Sequence, residues 1–459
     1  MANQFLYTVP YKELSSWSYG LLVHFDRDIF KFPTEKLGCF LKKYENKADL
    51  IPDTVFTRIT IKTKGQGVVK RDEAFGKDIK TKGQFYVRAG QFIYSNIDAR
   101  NGAFGVVPKN LDMAIITNSF TSFECDETKL LPQYLVLLLS TPYYVSIFEK
   151  ISVGTTNRRS VKPEALLNIK IPVPPIEKQT ELVDEYNESI ALSQECERKA
   201  SYISDKDERY MLTTLGIHKK TIFAGTKFLN AIYFSSINEW GAEKNLNSID
   251  RFYETKNAKA LRDMSYLIVK VFRGKSPIYS DSSNAIILNQ KCNRWNFIDI
   301  RYAKTVDEKW LSSIDKDYLI KQGDIIINST GEGTLGRASI VDEQHEGLCV
   351  DSHILVLRLD KTKVNPEFIL RQINSEYGQK QIELLKSALA TKQTELGIDN
   401  LLKIKFIMPI DSNGKIDLTT QNVIINNHRS TLREMQTLLD RQRELIEFAK
   451  ENFENAIFN

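Results

Sequence analysis

The sequence predicts an α+β protein in which an α/β domain followed by a long coiled-coil helix occurs twice, as a pseudo-two-fold internal duplication. Two observations predict this class. Each half contains a heptad-patterned segment preceded by a short apolar strand that ends in proline, and several landmarks recur in the same order in both halves. The 459 residues exceed one typical domain, and a hydrophobic content of 42% suffices for more than one core.

The first long helix is predicted from Ile176 to about Leu215, a length of about 60 Å at 1.5 Å per residue. The apolar stretch Ile169–Val173 precedes it, and prolines end that strand because proline fixes φ and lacks a donor. A narrow seam with charged flanks is typical of a coiled coil rather than a core helix. The seam positions are Ile176, Val183 and Ile190, seven residues apart, with Tyr186 and Ser193 at intermediate positions of the heptad.

The C-terminal part of the chain repeats this device. Ile404–Pro409 is a second apolar strand closed by proline, and a helix is predicted from about Thr420 to Ile457. Its seam alternates by three and four residues, as a heptad register requires. The seam positions are Leu432, Met435, Leu439, Gln442, Ile446, Ala449, Phe453 and Ala456.

Landmarks within the two halves lie at nearly constant spacing. Ala260–Ile268 occupies the position in the second half that Lys36–Lys42 occupies in the first. The matched single positions are Gly90 with Gly323, Gly105 with Gly336, Pro132 with Pro366, Thr156 with Thr391, and Ile169 with Ile404. Since the repeat is far longer than a solenoid unit, it predicts a tandem domain duplication. The expected segments are a domain at 1–174, a helix at 175–225, a second domain at 226–409 and a second helix at 410–459.

Composition favours an intracellular protein without a membrane span. No run approaches the length of about 18 apolar residues that a bilayer requires, and the first residues lack the apolar centre of a signal peptide. The five cysteines are far apart and cannot all be paired, so a reducing cytoplasm is expected. The five histidines are equally dispersed, and no zinc-ligand spacing occurs, so no metal site is expected.

A basic strand-and-loop surface is predicted between Arg58 and Arg100, a segment that contains ten basic and four acidic residues. Interleaved glycines and hydroxyl residues make it suitable for phosphate contacts. A charge-rich solvated surface would have a similar composition, so both interpretations stay open. The candidate DNA contacts here are Lys62, Lys64, Lys70, Arg71, Lys80, Lys82 and Arg100.

Polar loops occupy equivalent positions in the two halves. One pair ends the strands that follow Gly90 and Gly323, and the other precedes the strands that exit to the long helices. Amide and basic side chains read base edges, whereas hydroxyls hold phosphates; ordinary polar turns are the alternative. The candidates are Asn96, Thr155, Thr156, Asn157, Arg158, Arg159, Asn328, Ser329, Thr330, Thr391, Lys392 and Gln393.

Catalytic motifs give little support to an enzyme. Gly331–Gly336 (GEGTLG) satisfies GxGxxG, but a dinucleotide site needs a helix next, and Arg337–Val341 reads as a strand. The chain has no P-loop, no GxSxG elbow and no Asn-Pro-Pro-aromatic tetrapeptide of the amino-methyltransferases. A glycine-rich loop between strands is therefore predicted, and the chain is expected not to be an enzyme.

Leu166–Gln179 (LLNIKIPVPPIEKQ), preceded by Gly154–Arg159, resembles the junction between a target-recognition domain and the central spacer helix in specificity subunits of type I restriction-modification systems. Phe272–Pro277 (FRGKSP), Gly323–Gly336 and Leu401–Pro409 resemble the second such domain, so the resemblance covers nearly the whole chain. It adds Arg273, Lys275, Ser276 and Arg337 to the candidate DNA contacts. One departure is that Pro409 is followed by neither a second proline pair nor a glutamine.

This resemblance implies two target-recognition domains separated by two antiparallel helices, each domain reading one half of a bipartite double-stranded DNA target. It implies that the helices bind two methylating subunits, to which motor-nuclease subunits are added. S-adenosylmethionine, ATP and Mg would belong to those partners, with no cofactor in this chain. Three alternatives stay open: a related modification or defence system, a nucleotide-binding enzyme that uses GEGTLG, and an adaptor whose coiled coil is its function.

Overall fold

The computed structural model describes residues 29–63, 65–81, 83–153, 159–221, 248–388 and 394–459. They form two compact units. The first unit consists of Met1–Arg198 and Leu438–Asn459, and the second of Lys199–Thr437. Each unit therefore contains part of both long helices.

The described part of the first unit contains two sheets of four and five strands, paired mostly antiparallel, and three short α-helices. One sheet has the strand order β2-β10-β7-β8, the other β3-β6-β9-β4-β5, and β1 pairs with β11. The strands are β1 (Thr34–Lys36), β2 (Leu41–Tyr44), β3 (Asn46–Lys47), β4 (Val55–Ile61), β5 (Val68–Phe75), β6 (Gln84–Tyr86), β7 (Phe92–Ser95), β8 (Phe104–Val106), β9 (Ile115–Thr117), β10 (Phe120–Cys125) and β11 (Lys170–Pro172). The short helices are α1 (Pro132–Leu139), α2 (Pro142–Ile151) and α3 (Pro163–Leu167).

The second unit repeats much of this arrangement. Its strands are β12 (Ile217–Lys219), β13 (Tyr253–Thr255), β14 (Lys259–Ala260), β15 (Ile268–Arg273), β16 (Ile286–Leu288), β17 (Lys304–Thr305), β18 (Ile325–Asn328), β19 (Ala338–Ile340), β20 (Cys349–Val350), β21 (Ile354–Leu359), β22 (Ser387–Ala388), β23 (Thr394–Glu395) and β24 (Lys405–Phe406). Its short helices are α5 (Glu308–Ser312), α6 (Pro366–Asn374), α7 (Glu376–Leu385) and α8 (Ile398–Leu401), whereas α4 and α9 are the long helices described below. The sheets have the orders β15-β21-β18-β19 and β17-β16-β20, and β14 pairs with β24.

The predicted duplication is visible in the strand registers. In the first unit β7 pairs with β10 and β8, and in the second β18 pairs with β21 and β19, always antiparallel. These registers place Phe92 in the position of Ile325 and Ser95 in that of Asn328. They also correct one predicted match. Gly105, opposite Ile93, corresponds to Ser339, opposite Ile326, and not to Gly336.

Each four-stranded sheet separates two cores, because alternate side chains of a strand point to opposite faces. Phe92 and Tyr94 pack into the core that contains α1 and α2, whereas Ile93 packs on the other side. Ile325 and Ile327 pack likewise against α6 and α7, and Ile326 packs on the opposite side. Strand β7 and strand β18 are thus fully buried, which explains their uninterrupted apolar sequence.

The two long helices are α4 (Ile176–Thr214) and α9 (Leu418–Ile457), close to the predicted limits. They run antiparallel. In the first unit the Asn452 amide donates to Glu185, and in the second the Asn427 amide donates to the hydroxyl of Tyr210. Most of the predicted seam is buried or half-buried, but Leu432 is exposed.

A buried ionic cluster joins the helices to α6 in the second unit. Asp207 accepts hydrogen bonds from Arg371 and His428 at 2.8 and 2.7 Å. Burial alone would raise the pKa of Asp207, but the hydrogen bond from His428 and the charge of Arg371 hold that pKa below its ordinary value.

A fully buried glutamine near the start of each long helix binds the chain segment before the first helix of the unit. The Gln179 amide oxygen accepts from the backbone N–H of Leu131, which precedes Pro132, and the Gln421 oxygen accepts from Asn365, which precedes Pro366. The glutamine missing directly after Pro409 is therefore present as Gln421. A turn at 410–417, closed by the bridge between residues 410 and 416, separates it from the proline.

Candidate nucleic-acid interface

Three loops of the first unit meet where β7 ends. The backbone N–H of Val161 donates to the carbonyl of Asn96 at 2.7 Å, so the segment that contains Arg159 lies beside this strand end. The N–H of Gly65 donates to the carbonyl of Gly102 at 3.0 Å. The β4–β5 turn with Lys62 thus lies beside the turn that carries Arg100. The fold therefore gathers Lys62, Asn96, Arg100 and Arg159 on neighbouring loops.

The side chains of this surface differ in their availability. Lys62, Lys80 and Arg159 are exposed. Lys70 is paired with Glu73 at 2.7 Å, and Arg71 lies 3.6 Å from Asp72. These two basic residues are exposed yet partly neutralised, which weakens them as phosphate contacts.

Asn96 is half-buried, and both ends of its amide are used within the protein. It donates to the carbonyl of Asn118 at 3.1 Å and accepts from the Thr121 hydroxyl at 2.9 Å. Reading a base would require breaking these bonds. Asn96 therefore positions the loop in this structure, rather than presenting a free amide as predicted.

The equivalent strand end in the second unit also requires a correction. Asn328 and Ser329 are fully buried, and Thr330 is nearly so. The amide of Asn328 donates to the carbonyl of Gln290 and accepts from Asn293, and Thr330 bonds to His353 at 2.8 Å. The Ser329 hydroxyl is buried with no hydrogen-bond partner among the described residues. None of the three side chains is available to a base edge, and Asn328 and Thr330 hold loops in place instead.

The candidates on and after β15 are of three kinds. Arg273 forms an ion pair with Glu395 on β23, so its charge is neutralised and the prediction of a free phosphate contact is corrected. Lys275 is half-buried, with its Nζ 3.6 Å from the ring centroid of Tyr318. Ser276 is exposed.

Arg337 lies beside a cluster that the sequence analysis missed. Its guanidinium is 5.8 Å from the ring centroid of Trp295, and the guanidinium of Arg294 is 4.5 Å from that of Tyr302. Burial, with the nearby charge of Arg294, lowers the pKa of Arg337. The available sequence signal was the alternation of basic and aromatic residues in RWNFIDIRY, Arg294–Tyr302.

The remaining candidates lie outside the described residues. They are Lys64, Lys82, Thr155, Thr156, Asn157, Arg158, Thr391, Lys392 and Gln393. Their flanks are equivalent in the two units. Leu396 donates to the carbonyl of Ser329 at 2.8 Å, as Val161 does to Asn96. The segments before both exit strands thus end at the same edge of the repeated sheet.

The GEGTLG segment is a turn between two paired strands. It joins β18 to β19, so a strand follows it rather than a helix. A dinucleotide site needs a helix there, because the N-terminus of that helix binds the pyrophosphate. This geometry rejects the nucleotide-binding alternative for the loop. Across the described ranges, no helix has the length and apolar character to cross a membrane, and no cluster of metal-binding side chains occurs.

The two units carry different polar and basic loops at equivalent strand ends of a repeated sheet, an arrangement that suits contacts with DNA. Residues 27–190 match the family model described as the type I restriction modification DNA specificity domain. The family resemblance predicted from the sequence is borne out over these residues.

One solved structure supports this fold, and two others have lower similarity. One is a chain from a type I R-M system studied for complex assembly and conformational transition, with a TM-score of 0.55, 15% identity, and coverage of 93% of this chain and 98% of that chain. The HsdS subunit from Thermoanaerobacter tengcongensis has a TM-score of 0.42, 15% identity and coverage of 93% and 96%. The S subunit from M. genitalium has a TM-score of 0.44, 10% identity, and coverage of 94% of this chain and 96% of that chain. A search of curated proteins by sequence found no match.

Proposed function

We propose that this chain is the specificity subunit of a type I restriction-modification complex, in which each unit reads one half of a bipartite double-stranded DNA target. The observation that carries the proposal is the repeated sheet, with equal registers but different loop side chains at its ends. A fixed scaffold with changed loops is what two modules reading two sequences require.

The proposal extends to partners that would supply the chemistry. The long helices would bind two methylating subunits, and motor-nuclease subunits would join that complex in the cytoplasm. S-adenosylmethionine, ATP and Mg would be held by those partners. Phe448 and Leu192 support a docking role, because both apolar side chains are more than half exposed on the long helices. Leu182 on α4 is buried in the core of the first unit and is not available for docking.

Selection of bound sites from random DNA would test the two-module arrangement. The chain is co-expressed with its methylating subunit, and Arg159→Ala is compared with Lys392→Ala. Each variant is expected to relax one half-site by about 1–3 kcal/mol if its side chain reads a base, and to leave the other half unchanged.

Matched controls lie at the opposite end of equivalent strands. Lys129 follows β10 and Lys363 follows β21, and each is paired with a nearby aspartate. Their alanine variants are expected to select the original site. A single variant that alters both half-sites together would contradict the assignment of one half to each unit.

A further inference from the structure

The connection between β16 and β17 forms a hairpin over residues 293–298. Asn293 and Ile298 are bridged, and the N–H of Arg294 donates to the carbonyl of Phe297 at 3.0 Å. Asn296 has a φ of 69°, a left-handed conformation that asparagine tolerates better than most residues. The tip of this 293–298 hairpin therefore presents Arg294, Trp295 and Phe297.

A buried amide network holds the base of the hairpin. The Asn293 amide donates to the carbonyl of Arg337 at 2.8 Å and to the side-chain oxygen of Asn328 at 3.0 Å, and it accepts from the Ser339 hydroxyl at 2.6 Å. Asn293, Asn328 and Ser339 are all fully buried. Such a satisfied polar network fixes one conformation.

The tip itself is anchored at a second point. The N–H of Asn296 donates to the carbonyl of Ala338 at 3.1 Å, and the Asn374 amide donates to both Ala338 and the side chain of Asn296. The hairpin is therefore held before any ligand binds. A binding element that is ordered beforehand loses little conformational entropy on association.

The exposed surface of the hairpin combines aromatic rings with unpaired cations. Trp295 is 43% and Phe297 57% exposed. Among the described residues no carboxylate forms an ion pair with Arg294 or Arg337. Asp299, the nearest acid in sequence to Arg294, lies close enough to interact with its charge but is hydrogen-bonded to both ends of the Arg301 guanidinium. Guanidinium groups that form no ion pair and lie against aromatic rings suit phosphate oxygens or guanine acceptors.

The hairpin also lies where the first unit has its basic turn. The hairpin contacts Ala338 at the start of β19, whereas the β4–β5 turn contacts Gly102 just before β8. Since β19 corresponds to β8, the two connections occupy the same end of the repeated sheet.

We infer that the 293–298 hairpin is the DNA-contacting element of the second unit. Arg294 and Arg337 bind phosphate or guanine acceptors of the second half-site, and Trp295 and Phe297 pack against sugars and base edges in the groove. This inference rests on the proposed function and deepens it, because it names residues that set the sequence preference of one half.

The test uses the full chain co-expressed with its methylating subunit, and double-stranded DNA carrying the selected target. Arg294→Ala and Trp295→Ala are each expected to weaken binding about 10- to 100-fold and to relax preference only in the second half-site. Arg294→Lys keeps the charge but loses the planar fork, so it is expected to recover affinity without recovering base preference. Arg262→Ala and Tyr266→Ala, exposed residues of the same unit near the far end of β15, are the controls.

The outcomes separate the hairpin from the proposed function. If Arg159→Ala alters the first half-site while Arg294→Ala and Trp295→Ala bind and select as the unchanged protein does, the hairpin is overturned and the function stands. If the variants lose the methylating subunit instead of DNA, the hairpin is a protein contact and the inference fails. If the unchanged complex selects no DNA sequence, the proposed function itself fails. Equal thermal unfolding of the variants shows that a loss of affinity is not a loss of folding.

Discussion

The connection from β4 to β5 and the connection from β16 to β17 lie at the same place in the duplicated fold but differ in length and chemistry. The first comprises residues 62–67, closed by the N–H of Lys62 on the carbonyl of Gly67 at 3.0 Å. The second comprises residues 289–303 and contains the 293–298 hairpin. The difference teaches that the sheet determines where a contact loop lies, while the loop alone determines what it can touch.

One position of the sheet shows how each connection is accommodated. Gly105 on β8 corresponds to Ser339 on β19. A Cβ on Gly105 would lie 3.1 Å from the Cα of Gly67. The short β4–β5 connection therefore packs against Gly105 so closely that it leaves no room for a side chain. In the second unit the serine hydroxyl at this position donates to Asn293. A steric fit in one unit is replaced by a hydrogen bond in the other.

The largest effect is expected from Asn293→Ala, which removes the base of the long connection. The carbonyls of Ile326 and Arg337 and the hydroxyl of Ser339 lose a buried partner. We expect the free energy of unfolding of the second unit to fall by about 2–4 kcal/mol. Urea unfolding followed by tryptophan fluorescence would measure this, since Trp295 and Trp310 both lie in that unit.

Asn284→Ala is the matched control, because Asn284 is an exposed asparagine of the same unit. It is expected to leave the transition unchanged. An Asn293→Ala protein as stable as this control would show that the network does not hold the hairpin. The hydrogen bond between Ser339 and Asn293 would then not be what accommodates the long connection.

A smaller effect is expected from Gly105→Ser, which gives the first unit the residue of the second. The new Cβ would also lie 3.2 Å from Cγ2 of Val68, tighter than ordinary contacts. Overpacking of this kind costs about 1–3 kcal/mol, and the midpoint of thermal unfolding would report it. Gly397→Ser is the control, because no atom lies within 4 Å of the corresponding Cβ. If both variants were equally stable, the β4–β5 turn would not require glycine at position 105.

Several features of the fold were predictable because they depend on local patterns. Heptad spacing located α4 and α9 to within a few residues, and the constant spacing of landmarks located the repeated sheet. The match of Gly105 with Gly336 was wrong because the two glycines serve different purposes. Gly105 allows a close approach, whereas Gly336 adopts a φ of 77° and corresponds in position to Gly102, with a φ of 73°.

Whether a polar candidate side chain is exposed or bonded within the protein could not be predicted, because its partners are distant in sequence. Asn328 at a strand end looked like a surface amide, yet its partner Asn293 lies 35 positions away. Arg273 is neutralised by Glu395, which is 122 positions away. Only the fold brings such partners together, so polar character alone did not separate residues that hold a loop from residues that a loop presents.

The smallest effect is expected at Gln421, and its contrast with Gln179 extends the comparison of the two units to the starts of the long helices. Gln179 uses its whole amide: besides accepting from Leu131, it donates to the carbonyls of Lys129 and Pro174 at 2.8 and 2.9 Å. Gln421 accepts from Asn365, but its buried Nε2 has no partner. Replacing Gln421 by leucine therefore loses one hydrogen bond and also removes an unsatisfied donor.

We expect Gln421→Leu to change the free energy of unfolding by about 1 kcal/mol or less, and Gln179→Leu to cost clearly more, because a lost partner leaves each buried group unsatisfied at about 1–3 kcal/mol. Chemical denaturation of the two variants side by side measures the difference, and Gln66→Leu at an exposed glutamine serves as control. Equal losses at Gln179 and Gln421 would mean that the two helix starts are held alike. The longer turn before α9 would then be a neutral insertion, rather than the cause of a looser attachment in the second unit.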